Sequence, residues 1–269
     1  MDQTLQAPGT LPRPATLLVT VASILGLLVF LYPFVLPAIN QTSSDSARTG
    51  EAPIVLGGLI ALCLGAIMLE LDPRQGAEGA ARTVALLATL VAFGAIARLI
   101  PSFMGASPVF LLVILGGFVF GPVFGFQVGA LTLLLSAFIT GGIGPWVPYQ
   151  MMGLGWVGLG AGLLPGRFAK YDQRPILVAY GIVSGLLYGA LLNLWFWPFA
   201  APGGEVAGNL AWSPGMDLGE VLIRYAHFYV ITSLWFDLFR ALGNTILIVT
   251  LGPALIATLT RYRRRTTWT

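Results

Sequence analysis

Six hydrophilic side chains lie within or beside long apolar runs and could hold a polar or charged ligand: Arg98, Gln150, Asn193, Asp237, Arg240 and Asn244. Groups of this kind are costly at membrane depth unless they pair or face a water-filled cavity. Asp237, Arg240 and Asn244 follow one another in steps of three and four, which puts them on one helical face. At that spacing Asp237 and Arg240 can either meet a ligand or neutralise each other as a local ion pair. Aromatic residues accompany them: Trp146, Tyr149, Trp195, Trp197 and Trp235. Most such rings serve as interfacial anchors. Trp146 differs, because it stands between Gly144-Pro145 and Pro148 in a stiff loop that can hold a ring against a ligand at low entropic cost.

Other chemistries find less support. Gly105-Ala106-Ser107 is faintly similar to a membrane serine protease motif for which His227 would be the base, but Pro108 occupies the place of the expected glycine. The single histidine and the scarcity of carboxylates disfavour an all-protein metal cage, and the lone Cys63 excludes an internal disulfide. No metal and no cofactor is expected. A GxxxxGK[ST] loop is absent, so any ATP-driven work must come from another chain. A self-sufficient ion-coupled carrier would need a buried carboxylate, for which Asp237 is nearly the sole candidate.

The elements that position these residues are membrane helices. With 57% hydrophobic and 9% charged residues, the chain of 269 departs far from the roughly 25% charged content of a soluble domain. No charged residue occurs between Arg98 and Arg167. Apolar runs predict spans at 15–38, 53–71, 83–100, 107–119, 123–140, 150–164 and 175–197, each bounded by polar, glycine or proline breaks. The first run exceeds the apolar core of a signal peptide and reads as a retained anchor. Leu218 to Leu259 would measure about 60 Å as one straight helix, twice a hydrocarbon core, and must bend or divide.

Charge sets the expected topology. Arg74 and Arg82, the loop from Arg167 to Arg174, and the Arg261 to Arg265 tail all fall on the cytoplasmic side only if Leu218 to Leu259 crosses once. The expectation is therefore a multi-pass cell-membrane protein with eight spans and both termini cytoplasmic. It places an outer interfacial helix at about 220–236, with Glu220, Arg224 and His227 on its polar face. Residues 1–75 would form a polar start and two helices, and 76–269 the main bundle. The six hydrophilic residues then share one outer level, which suggests an outward-opening pocket.

Small residues mark close contacts. Gly117, Gly121, Gly125 and Gly129 recur every four residues, as do Gly181, Gly185 and Gly189, and Gly158 pairs with Gly162. Ala81, Ala85, Ala88, Ala92 and Ala95 draw a narrow stripe along one helix face, suited either to packing within the chain or to docking a partner membrane subunit. Gln127, nearer the opposite end, is expected to make an interhelical hydrogen bond.

The short span ending in Gly121-Pro122, the glycine-rich span after it, the Gly144-Pro145-Trp146-Val147-Pro148-Tyr149-Gln150-Met151 loop and the helix from Gly153 to Gly166 together resemble the substrate-binding S-components of energy-coupling factor (ECF) vitamin transporters. The resemblance covers about Arg82 to Arg265. It implies an all-α membrane fold, a six-helix S-component-like bundle, here preceded by two extra transmembrane helices. It further implies capture of a vitamin or related micronutrient at the outer face, with delivery driven by a transmembrane T-component and two ATPase subunits. Carried onto this chain, the ligand-binding regions contain Arg98, Trp146, Tyr149, Gln150, Asn193, Trp197, Asp237, Arg240 and Asn244. The alanine stripe corresponds to the face that meets the T-component. The aromatic loop and long outer segment look somewhat like those of corrinoid-type S-components.

Overall fold

Long apolar runs punctuated by glycine and proline leave the backbone one way to satisfy its hydrogen bonds in lipid, and the described apolar runs are helical. A computed structural model describes residues 13–39, 54–65, 68, 76–100, 103–164, 173–197, 210–212 and 215–266. In order the helices are α1 (Arg13–Ile39), α2 (Ile54–Gly65), α3 (Gly76–Leu99), α4 (Val109–Phe120), α5 (Pro122–Thr140), α6 (Val147–Gly162), α7 (Arg174–Phe196), α8 (Leu218–Thr232), α9 (Leu234–Thr250) and α10 (Gly252–Thr266). Among the described residues α3, from Ala81, α5 and α7 are long and apolar enough to cross a bilayer unaided, and α9 with α10 qualifies as one broken span bent by 63°. Apolar stretches of α1, α2 and α4 are shorter. Residues 66, 67 and 69–75, which include the end of the expected 53–71 span, and the basic loop at Arg167 and Lys170 lie outside the described residues.

Each break has a local cause. Gly121 closes α4 with its N–H on the Gly117 carbonyl at 2.8 Å and takes φ +105°, which a side chain would disfavour; Pro122 then opens α5 at a position where no intrahelical donor is needed. Pro253 has no N–H to give the preceding turn, and its ring crowds that turn's carbonyl, which explains the bend after Leu251. The Leu218 to Leu259 segment thus divides into three pieces rather than an interfacial helix and one straight span. Ser233 ends α8, so Leu234 to Phe236, expected in the interfacial helix, belong to α9.

Glycine decides the packing. A Cβ on Gly117 or Gly125 would overlap the Gly158 carbonyl, one on Gly158 would overlap that of Gly125, and one on Gly129 would overlap that of Leu154. Helices α4, α5 and α6 therefore meet main chain to main chain. Nearly all of α4 is buried, with Val113, Ile114 and Leu115 fully enclosed. On the other side α9 lies along the Gly181, Gly185, Gly189 ridge of α7, which receives Ile248, Ala241 with Asn244, and Asp237 in turn. Outside this core, α1 rests on α6: Trp156 Nε1 donates to Ser23 Oγ at 3.1 Å, and Phe30 meets the Tyr149 ring edge-on at 5.3 Å.

Candidate functional site

The site lies where alternate helices bring their ends together. The last turn of α3 supplies Arg98, the later turns of α7 supply Tyr188 and Leu192, the first turns of α4 and α6 supply Val109 with Phe110 and Gln150, and the second turn of α9 supplies Arg240. These residues enclose a cavity of about 450 Å³, completed by Leu133, Leu154 and the loop residues Gly105 and Ser107. That loop is pinned by a tight turn, in which Ala106 N–H donates to the Phe103 carbonyl at 2.9 Å, with Met104 and Gly105 at positive φ.

Two arginines dominate the polar wall. Arg98 donates from Nη1 to Ser136 Oγ at 2.9 Å and from Nη2 to Gln150 Oε1 at 3.1 Å, so it bridges α3, α5 and α6. Arg240 donates from Nη1 to the Gly185 carbonyl at 3.1 Å and to the carboxylate of Asp237. The rings of Phe110 and Tyr188 lie 5.6 and 5.2 Å from its guanidinium carbon, within cation–π range. Asp237, fully buried against Gly189, also accepts from Tyr229 Oη at 2.9 Å and Ser233 Oγ at 3.0 Å. Burial and the Asp237 carboxylate hold the Tyr229 phenol above its usual range, so it remains a donor.

Of the nine residues expected at the ligand, Arg98, Gln150 and Arg240 line the cavity, and Asp237 stands behind Arg240. The others lie elsewhere. Asn244 is buried in the α7–α9 contact, donating to the Gly181 carbonyl at 2.9 Å. Tyr149 is buried in a stack on Trp195 with centroids 4.2 Å apart. Trp197 is buried beneath α8, where its Nε1 donates to the Leu210 carbonyl at 2.7 Å. Asn193 pairs with Thr232 at 3.0 Å in an exposed contact between α7 and α8. Trp146 is 47% exposed and is not among the lining residues.

Ser107, Phe110, Tyr188 and Ser136 enter the arrangement instead. Tyr188, a polar-tipped ring inside an apolar run, carried a usable signal; Phe110 carried none. Ser107 Oγ has no hydrogen-bond partner, and His227 is exposed on α8, so no serine–histidine pair is formed.

Residues 82–252 match the family model of the ECF transporter substrate-specific component. The chain belongs to this family. All the cavity residues fall inside the matched region, whereas α1 and α2 precede it. No curated protein and no solved structure matches the chain. Membership in the ECF substrate-specific components, with the apolar helices, makes this a membrane protein of a transport system and a substrate-binding subunit of an ECF importer.

Proposed function

We propose that the protein captures a vitamin or related micronutrient at the outer face of the cell membrane and releases it inward when a T-component and two ATPase subunits act on it. The observation that carries this reading is the cavity at one end of the bundle, walled by Arg98, Gln150 and Arg240, in a chain of this family. The opposite end collects the positive charge: Arg82 lies in the second turn of α3, Arg174 begins α7, and Arg261, Arg263 and Arg264 lie in the last turns of α10. Arg263 Nη1 donates to the Val119 carbonyl at 2.8 Å, so α10 finishes beside the far end of α4. An excess of arginine marks cytoplasmic ends, which supports an outward-facing cavity and cytoplasmic termini. In this arrangement α3 to α7 and the broken α9–α10 span form the six-helix core, α1 and α2 are the additional pair, and α8 lies in the outer interface.

Ala81, Ala85, Ala88 and Ala92 are exposed along α3 and suit a docking face for the T-component, while Ala95 is fully buried and packs inward. A volume of about 450 Å³ falls low in the range of roughly 300–1,000 Å³ for small-molecule sites and favours a ligand smaller than a corrinoid. Asp237 is committed to Arg240, Tyr229 and Ser233, which speaks against its cycling a proton in a self-sufficient carrier.

The test is to extract the small molecule bound to the purified protein, identify it by mass spectrometry, and measure its uptake into liposomes with and without the T-component and ATPases. Uptake only with the partners and ATP is expected. Uptake by the protein alone under an ion gradient would overturn the proposal.

A further inference from the structure

Arg240 has all its hydrogen bonds on one side of the guanidinium. Nη1 serves both Asp237 and the Gly185 carbonyl. Nε is buried without a hydrogen-bond partner, and among the described residues no hydrogen bond leaves Nη2. Nη2 lies beside Gly105, where a Cβ would come within 3.4 Å of it. Nε and Nη2 together make the side-on edge of the fork, which grips two carboxylate oxygens through parallel hydrogen bonds. The ion pair and the flanking rings of Phe110 and Tyr188 fix this edge in a residue that lines the cavity. A second buried polar atom without a hydrogen bond, Ser107 Oγ, belongs to the same wall.

Charge narrows the ligand further. Arg98 gives its terminal nitrogens to the neutral acceptors Ser136 and Gln150, and among the described residues it has no acidic partner. The lining holds two arginines and no aspartate or glutamate; with Asp237 balancing Arg240, one positive charge remains. A guanidinium left uncompensated in an apolar bundle is costly, and an anion of equal charge removes that cost. One carboxylate balances it one for one, whereas a phosphate monoester carries about −1.5 to −2 at neutral pH and overshoots.

We propose that the cavity takes a compact molecule bearing a single carboxylate, received side-on by Nε and Nη2 of Arg240, with Ser107 Oγ beside it and Arg98 supplying the complementary charge. The assignment rests on the cavity being the transport site. The experiment uses the full chain in phosphatidylcholine nanodiscs and reads tryptophan fluorescence and thermal stabilisation. The probes are matched pairs, nicotinate with nicotinamide, biotin with biotinamide and pantothenate with pantothenol, and inorganic phosphate alone.

The expected result is that at least one acid binds and its neutral counterpart binds at least about 10-fold more weakly, the scale of a charge-assisted hydrogen bond. Arg240→Lys, which keeps the charge and the Asp237 partner but lacks the side-on edge, should weaken the acid by a similar factor and so remove most of the discrimination between the acid and its neutral counterpart; undiminished discrimination overturns the assignment to the Arg240 edge. Equal binding of acid and neutral partner overturns the carboxylate assignment and leaves the transport reading standing. Phosphate binding as tightly as the acid, or stabilisation by phosphatidylglycerol that displaces the acid, also overturns it, by assigning the fork to a phosphate or a lipid headgroup. Absence of binding by every acid overturns the carboxylate assignment and leaves the transport reading standing on the uptake measurement with the partner subunits.

Discussion

Removing Asp237 and Arg240 singly and together tests whether the two charges form one unit. Asp237 is fully buried and Arg240 is 13% exposed, so loss of either partner leaves a charge stranded away from water, at a cost of about 3–5 kcal/mol. Arg240→Met should fall near the lower figure, because the Tyr229 and Ser233 hydroxyls still donate to the remaining carboxylate. Asp237→Ala should fall near the upper one, because Arg240 then keeps only the Gly185 carbonyl. The double variant strands no charge and should cost about 3–4 kcal/mol, chiefly the lost ring contacts and packing. At roughly 2 °C per kcal/mol for a chain of this size, the singles lower Tm by about 6 and 10 °C and the double by about 6–8 °C. Thermal unfolding of the three variants in nanodiscs, followed by tryptophan fluorescence, measures this directly. A double variant that melts about 16 °C lower, additive within about 0.5 kcal/mol, would refute the coupling and with it the fixed orientation of the Arg240 fork.

Gln150→Ala removes the acceptor of Arg98 Nη2 and should weaken ligand binding by about 10-fold with little change in Tm, as titration of the purified protein will show. Gly158→Val places two methyl groups against the Gly125 backbone and should lower Tm strongly or prevent accumulation in the membrane, read by fluorescence-detected gel filtration. Ala88→Trp or Ala92→Trp, on the exposed side of α3, should abolish uptake in the assembled transporter while ligand affinity stays within about twofold. If affinity falls together with uptake, that side of α3 is not a docking face. Asn193→Cys should react with membrane-impermeant maleimide applied from outside, while the buried Cys63 stays silent; labelling only from the cytoplasmic side would reverse the topology.

Depth along each helix was legible in the sequence, because position along the axis advances about 1.5 Å per residue whatever surrounds it. The starts of α4 to α7 fall within three residues of the expected spans, set by Gly121-Pro122, Pro148 and Pro175. Direction around the axis was not legible, since packing fixes which way a side chain points. Arg98, Gln150, Arg240 and Asn244 all lie on helices that wall the cavity, yet Asn244 turns into the Gly181 ridge and only the first three reach the wall. Tyr149 and Trp197 likewise went to neighbouring rings and a carbonyl. Counting charges led to one crossing as the expectation for the last segment but could not register the 63° bend at Gly252-Pro253, because charge reports sides and not direction.

The main-chain seam between α4, α5 and α6 has a consequence for how such a molecule diversifies. A contact made of glycine carbonyls and Cα atoms draws on none of the cavity side chains, so exchanges in the cavity wall leave it in place as long as the glycines remain. New cargo preferences can arise by exchanging a few lining residues such as Ser107, Gln150 or Tyr188, without renegotiating the architecture beneath them.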